Sequence, residues 1–222
     1  MSIRKIQFVN DEYYHVFNRG VDKRVIFNNK DQQYFFFRRL CDLNDTDSSI
    51  VAKTIRNEMK LLDTGKARRE KLVSIVAYCL LPNHYHLLLK QEVDNGISRF
   101  MQRLGTSYTV FFNKQEKRTG SLFQGKFKAT HLGGDFALPT VSAYVNLNHK
   151  HHQIDPQKNL VKSSIFEYLD EELGDNICDQ DEINKIIQEA DGLDEYKKYL
   201  KQASIAFADN KNVLLDQSDF EF

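Results

Sequence analysis

The run LPNHYHLLL, Leu81 to Leu89, places two histidines one residue apart inside an otherwise apolar stretch. Strand side chains alternate between faces, so His84 and His86 are expected side by side with Tyr85 turned away. Burying two imidazoles costs free energy unless each finds a partner, and one shared divalent cation would serve both. The plainer reading is a pair of satisfied core or edge histidines. In a chain with seven histidines the spacing alone is a weak signal.

The neighbouring sequence turns this run into one arm of a hairpin. Lys71 to Leu81 and His84 to Gln91 read as two strands joined at Pro82-Asn83, a pair that favours a turn. Upstream, EYYHVFNR (Glu12 to Arg19) is aromatic and β-branched and stops at Gly20, which predicts another strand. Asn29 or Asp31 can cap a helix reaching about Cys41. Asp42 to Arg69 is a polar excursion in which VAKTIRNEMKLL forms a short helix. After the hairpin, Ile97, Phe100, Met101, Leu104, Tyr108, Phe111 and Phe112 recur at three and four residues, the stripe of an amphipathic helix. A strand near Lys126 to Leu132 and a helix capped by Asp135 and running to about Asn148 follow, with a further helix from Gln180 to Lys201. The order predicts an α+β fold: a ferredoxin-like βαββαβ antiparallel sheet with helices packed on it, plus a C-terminal helical acidic extension.

Charge divides the chain where this pattern ends. Residues 1–152 hold 24 basic and 14 acidic side chains, net +10, and residues 153–222 hold 7 and 17, net −10. Two parts are therefore expected, a domain over 1–152 and an acidic extension over 153–222. A basic body suits a polyanion partner, and the plainer alternative is two solvated surfaces of opposite sign. Charges throughout the first thirty residues leave no apolar core for a signal peptide, and no apolar run approaches the roughly 20 residues of a membrane span. The expectation is a cytoplasmic protein with no membrane partner. Cys41, Cys79 and Cys178 have no metal-binding or disulfide spacing.

LPNHYHLLL resembles the His-hydrophobic-His motif of the single-tyrosine (HUH) insertion-sequence transposases, especially their REP-associated branch. YHVFNRG (Tyr14 to Gly20), RLGTSYTVFFNKQEKRTGSLFQGKFKA (Arg103 to Ala129), AYVNLN (Ala143 to Asn148) and SSIFEYL (Ser163 to Leu169) resemble the same branch in the same order. The resemblance implies a metal-dependent transposase that nicks and rejoins single-stranded or hairpin DNA through a 5′-phosphotyrosine intermediate, working as a monomer or homodimer. It implies Mg²⁺ or Mn²⁺ held by His84 and His86, with Tyr108 as nucleophile in the pattern YTVFFN.

Tyr108 has a competing role, since a tyrosine on an apolar helical stripe is usually a core residue with a satisfied hydroxyl. Related enzymes often carry Gln or Asn one turn after the nucleophile, yet Phe112 stands four residues beyond Tyr108. Asn113 is then the candidate third ligand, with His15 on the first strand as its rival. His149, His151 and His152 read as a second metal cluster or as solvated side chains. Arg19, Arg99, Arg103, Lys126 and Lys128 are candidate phosphate contacts, with Phe123 or Phe127 available for base stacking. Two alternatives remain open: a catalytically inactive nucleic-acid-binding regulator of the same fold, which the absent amide favours, and a metal-dependent phosphodiesterase using water.

Overall fold

Tyr13–Arg19 (β1), rich in aromatic and β-branched side chains, is an interior strand of a five-stranded antiparallel sheet ordered β4-β1-β3-β2-β5. The computed structural model describes residues 6–47, 70–133, 137–169 and 174–209. Val73–Leu81 (β2) and His84–Gln91 (β3) form the hairpin turned at Pro82-Asn83, and β2 carries a bulge between Ile75 and Ala77. Lys128–His131 (β4) and Lys162–Ser163 (β5) close the two edges. The first four strands and their two intervening helices are the expected ferredoxin-like βαββαβ arrangement.

Lys30–Asp42 (α1) begins at Asn29, whose side-chain oxygen accepts the Gln32 N–H at 2.9 Å and satisfies one of the first-turn donors. Gly96–Gln115 (α2) starts beside the chain entering β2. A Cβ on Gly96 would meet the Leu72 carbonyl oxygen at 2.1 Å, so glycine alone permits this approach. Both helices cover the face of the sheet that carries Tyr14, Tyr78, Tyr85 and Leu87, and together they bury Phe27, Phe36, Leu40, Phe100 and Leu104.

The other face is covered by Leu138–Asn146 (α3), Asn148–His151 (α4) and the C-terminal helices. Pro139 sits in the first turn of α3, where its missing N–H is harmless. The VAKTIRNEMKLL helix and the Asp135 cap lie outside the described residues. Past residue 152 the charge changes but the packing continues: β5 pairs with β2, and Ile165–Leu169 (α5) places Tyr168 under the sheet edge with its hydroxyl donating to the Val76 carbonyl. The helix expected over 180–201 is two helices, Gln180–Glu189 (α6) and Leu193–Asp209 (α7). Asp191 at φ 62° and Gly192 at φ 109° break them apart, because a left-handed pair cannot continue a right-handed helix. Tyr196 of α7, fully buried, stacks on Tyr168 and bonds to Ser142 and Asn146 of α3, which fixes α3 from behind.

Candidate functional site

Alternation along β3 sends His84 and His86 to the α3 face and Tyr85 to the opposite one, as their spacing predicts. β1 continues the same surface. Phe17 pairs with His86, and His15 lies two residues away on the same face. The His15 ring stacks on His86 at 5.1 Å and 11°, with 2.9 Å between His15 Nε2 and His86 Nδ1, so these two nitrogens share one proton. His84 Nδ1 lies 2.6 Å from the Asn83 side-chain oxygen. That oxygen can only accept, so Nδ1 carries the proton and Nε2 presents a lone pair.

A third imidazole arrives from 66 residues downstream of His86. His152, just past α4, sets its ring 4.4 Å from His84 and 6.1 Å from His86, and the ligating atoms of the three lie within 4.8 Å of one another. The Nε2 atoms of His84, His86 and His152 are buried without a hydrogen-bond partner. Burial first, and then the neighbouring rings and Arg19, push His84 down to about 2. Burial, followed by His151 and Arg19, takes His152 to about 3. His86 is held well below the usual imidazole range by burial and by four neighbouring imidazoles, and burial alone takes His15 to about 4. All four rings are thus neutral near pH 7.

Helices α3 and α4 add a phenol and an amide. Ser142 and Asn146 are bound to Tyr196 on one side of this helix, and Tyr144 projects from the other. Its half-buried ring stands edge-on to His15 at 5.7 Å and to His86 at 6.3 Å. Leu147 keeps a near-helical conformation between α3 and α4, so Asn148 follows Tyr144 by one turn. Asn148 is fully buried and approaches His84 closely enough to favour charge there, yet neither its Oδ1 nor its Nδ2 makes a hydrogen bond of sound geometry. Three unbonded imidazole nitrogens and an unpaired amide, all buried, fit a divalent cation better than they fit an apolar core. Phe207 of α7 packs against the Tyr144 and His151 rings at 5.7 and 5.2 Å, roofing this side.

Tyr108 is not in this cluster. It projects from α2 into the opposite layer, fully buried among Phe27, Phe36, Phe112 and Phe123, and its hydroxyl donates to the Ile26 carbonyl. Burial, with a smaller contribution from Glu116, holds its phenol well above the ordinary range. The sheet separates it from the imidazoles, so the expectation of Tyr108 as nucleophile gives way to a packing role. Asn113 is displaced for the same reason. Its amide donates to the Gly120 carbonyl at 2.9 Å and accepts from Arg118 at 2.6 Å, tying off the end of α2 on the far face.

The basic candidates divide in the same way. Arg99 donates to the Thr46 carbonyl, and Arg103 to the carbonyls of Leu43 and Asp45, so both brace the loop after α1 on the Tyr108 face. Arg19, at the end of β1, lies close enough to His84 and His152 to disfavour their protonation. Lys128 places its ammonium 5.8 Å from the Phe17 ring, which itself stacks on His86. Lys126 lines an open groove of about 900 Å³ between α2 and the 121–127 loop, with Asn18, Gln102, Thr106, Thr109, Phe123 and Phe127.

Tyr144, Asn148 and His152 were within reach of the sequence. They recur every four residues in AYVNLNHKHH, one row along a helix, and the amide one turn after a tyrosine is the pattern that Tyr108 lacks.

Residues 44–149 match the family described as IS200-like transposases. One similar solved structure is described as a REP-associated tyrosine transposase bound to a REP hairpin. It shares 12% identity with this chain, with a TM-score of 0.46, over 70% of this chain and 77% of that one. No curated protein matches significantly. Among the described residues, no helix is long and apolar enough to cross a membrane.

Proposed function

On the premise that residues 44–149 are an IS200-like transposase segment, we propose that this chain nicks and rejoins single-stranded DNA beside a hairpin, with Tyr144 as the nucleophile. The observation that carries the reading is the row Tyr144, Asn148, His152 standing against His84 and His86 on one face of the sheet.

His84, His86, His152 and Asn148 are the residues that would hold a divalent ion, which when bound offsets the charge of the scissile phosphate. The Tyr144 hydroxyl oxygen attacks phosphorus, its proton passes to solvent or a neighbouring base, and the 3′ oxygen departs and takes up a proton. The product is a 5′-phosphotyrosine bond and a free 3′ hydroxyl, and reversing the step with another 3′ hydroxyl rejoins the strand. His15 and Phe17 fix the plane of His86 by stacking, and the hydrogen bond that His86 Nδ1–H donates to His15 Nε2 orients it and leaves His86 Nε2 for the cation. Arg19 and Lys128 supply positive charge on this face for the flanking phosphates.

The groove on the other face suits base recognition, because Asn18, Gln102, Thr106 and Thr109 offer donors and acceptors beside the Phe127 ring. A DNA strand crossing the β4 edge would pass from Lys126 on the groove side to Lys128 on the histidine side.

The test is incubation with a labelled single-stranded hairpin substrate and a divalent metal, followed by denaturing electrophoresis. A covalent adduct is expected that disappears in Tyr144→Phe and persists in Tyr108→Phe; the reverse pattern would overturn the assignment. Cleavage without any adduct would favour the water-using phosphodiesterase. The inactive-regulator alternative rested on the lack of an amide one turn after Tyr108, and Asn148 stands in that place after Tyr144.

A further inference from the structure

We infer that His152 makes this a three-imidazole centre, selective for a borderline transition ion such as Zn²⁺ or Co²⁺ over Mg²⁺. The inference rests on the divalent-ion reading of the cluster, and it is independent of which tyrosine attacks.

The geometry is close to that of a tripod. Three nitrogens bound to zinc at about 2.0–2.1 Å in a tetrahedron stand about 3.3 Å apart. The ligating atoms of His84, His86 and His152 already lie within 4.8 Å of one another, so closing the site needs side-chain rotations of about an ångström or so. Each ring has its Nε2 buried and unbonded, which is the atom a cation would engage. Two of the three have their other nitrogen held: His84 Nδ1 by the Asn83 oxygen at 2.6 Å and His86 Nδ1 by His15 Nε2 at 2.9 Å. Such outer contacts set ring orientation and tautomer at metal centres.

The donor set then decides the ion. Mg²⁺ demands oxygen ligands and gives up its water reluctantly, whereas the buried, unpaired donors here are three imidazole nitrogens and the Asn148 amide. Imidazole nitrogen suits Zn²⁺, Co²⁺ and Ni²⁺, with affinity rising along the first row from Mn²⁺. Among the described residues, no carboxylate joins the cluster. The Mg²⁺ or Mn²⁺ expected from the sequence is thereby replaced by an ion later in the row.

The experiment titrates the full chain, stripped of metal, with Co²⁺ and follows its visible absorption, a signal that does not depend on DNA cleavage. One equivalent is expected to give the intense bands of a low-coordinate nitrogen site. Stoichiometric Zn²⁺ should abolish them, and a large excess of Mg²⁺ should not. His152→Ala and His152→Gln should each weaken Co²⁺ binding by about tenfold or more, judged against thermal melts confirming that the variants fold. If both bind Co²⁺ as the parent does while His84→Ala and His86→Ala do not, the metal centre stands and the role of His152 is overturned. If none of these four variants changes Co²⁺ binding, the divalent-ion reading itself is lost. Mg²⁺ displacing Co²⁺ at comparable concentration would refute the selectivity.

Discussion

The two faces of the sheet each carry a tyrosine on a covering helix, and they treat it oppositely. Under α1 and α2, Tyr108 is enclosed by phenylalanine rings and its hydroxyl is committed to the Ile26 carbonyl. Under α3, Tyr144 is half-buried and borders two imidazoles. One side is a close-packed aromatic core in which the Tyr108 hydroxyl has its partner. The other concentrates buried nitrogens and an amide that lack hydrogen-bond partners. Folded proteins rarely leave such groups unpaired, so the second face reads as a site and the first as its support.

Substitutions can break this contrast. The largest effect is expected in adduct formation: Tyr144→Phe should lower it by on the order of 10³-fold or more, to background, while Tyr108→Phe should leave it measurable. Stability should show the reverse order. Tyr108→Ala empties a buried aromatic site and is expected to cost about 3–5 kcal/mol, against about 1 kcal/mol for Tyr144→Ala, both read from urea denaturation. Tyr108→Phe strands the Ile26 carbonyl and should cost about 1–3 kcal/mol by the same measurement.

Arg103→Ala should sharpen the division among the cations. It removes bonds to the Leu43 and Asp45 carbonyls, so a loss of about 1–2 kcal/mol in stability is expected. Hairpin DNA affinity should change little, whereas Arg19→Ala should weaken it and flatten its salt dependence. A fall in DNA affinity in Arg103→Ala alone would return that residue to the interface.

The pH dependence of the metal-free protein tests the histidine face as a whole. His15 is lowered from 6.5 to about 4, and His84 and His152 lie lower still, so below about 6.5 the unfolded chain binds protons that the folded chain refuses. Stability is therefore full above about pH 6.5 and declines as pH falls toward the folded values, by up to about 1.4 kcal/mol per pH unit for each histidine. His15→Asn should flatten that decline when denaturation midpoints are compared across the range. An unchanged slope would mean that His15 is not buried neutral.

Much of the fold was legible because local periodicity carries it. Alternation marked β1 and the hairpin, the three-and-four stripe marked α2, and Asn29 announced α1. The same stripe that put Tyr108 forward also carries it into the core. A residue on the apolar face of an amphipathic helix is, by that property, headed for the core, and the sequence pattern does not say which face of the sheet the helix will cover. The break between α6 and α7 was visible as Asp191-Gly192, but the charged, helix-favouring residues on either side made it read as continuous.

By itself the sequence determined that the central hairpin sets two imidazoles on one side and a tyrosine on the other, since strand geometry requires it. Only the tertiary structure decided what meets them. His15 comes from β1, Tyr144 and Asn148 from α3 and α4, and His152 from beyond, converging because Tyr196 and β5 fasten that part of the chain against the sheet. Contacts between residues so far apart in the chain depend on how whole elements pack, and spacing along the sequence does not encode that packing.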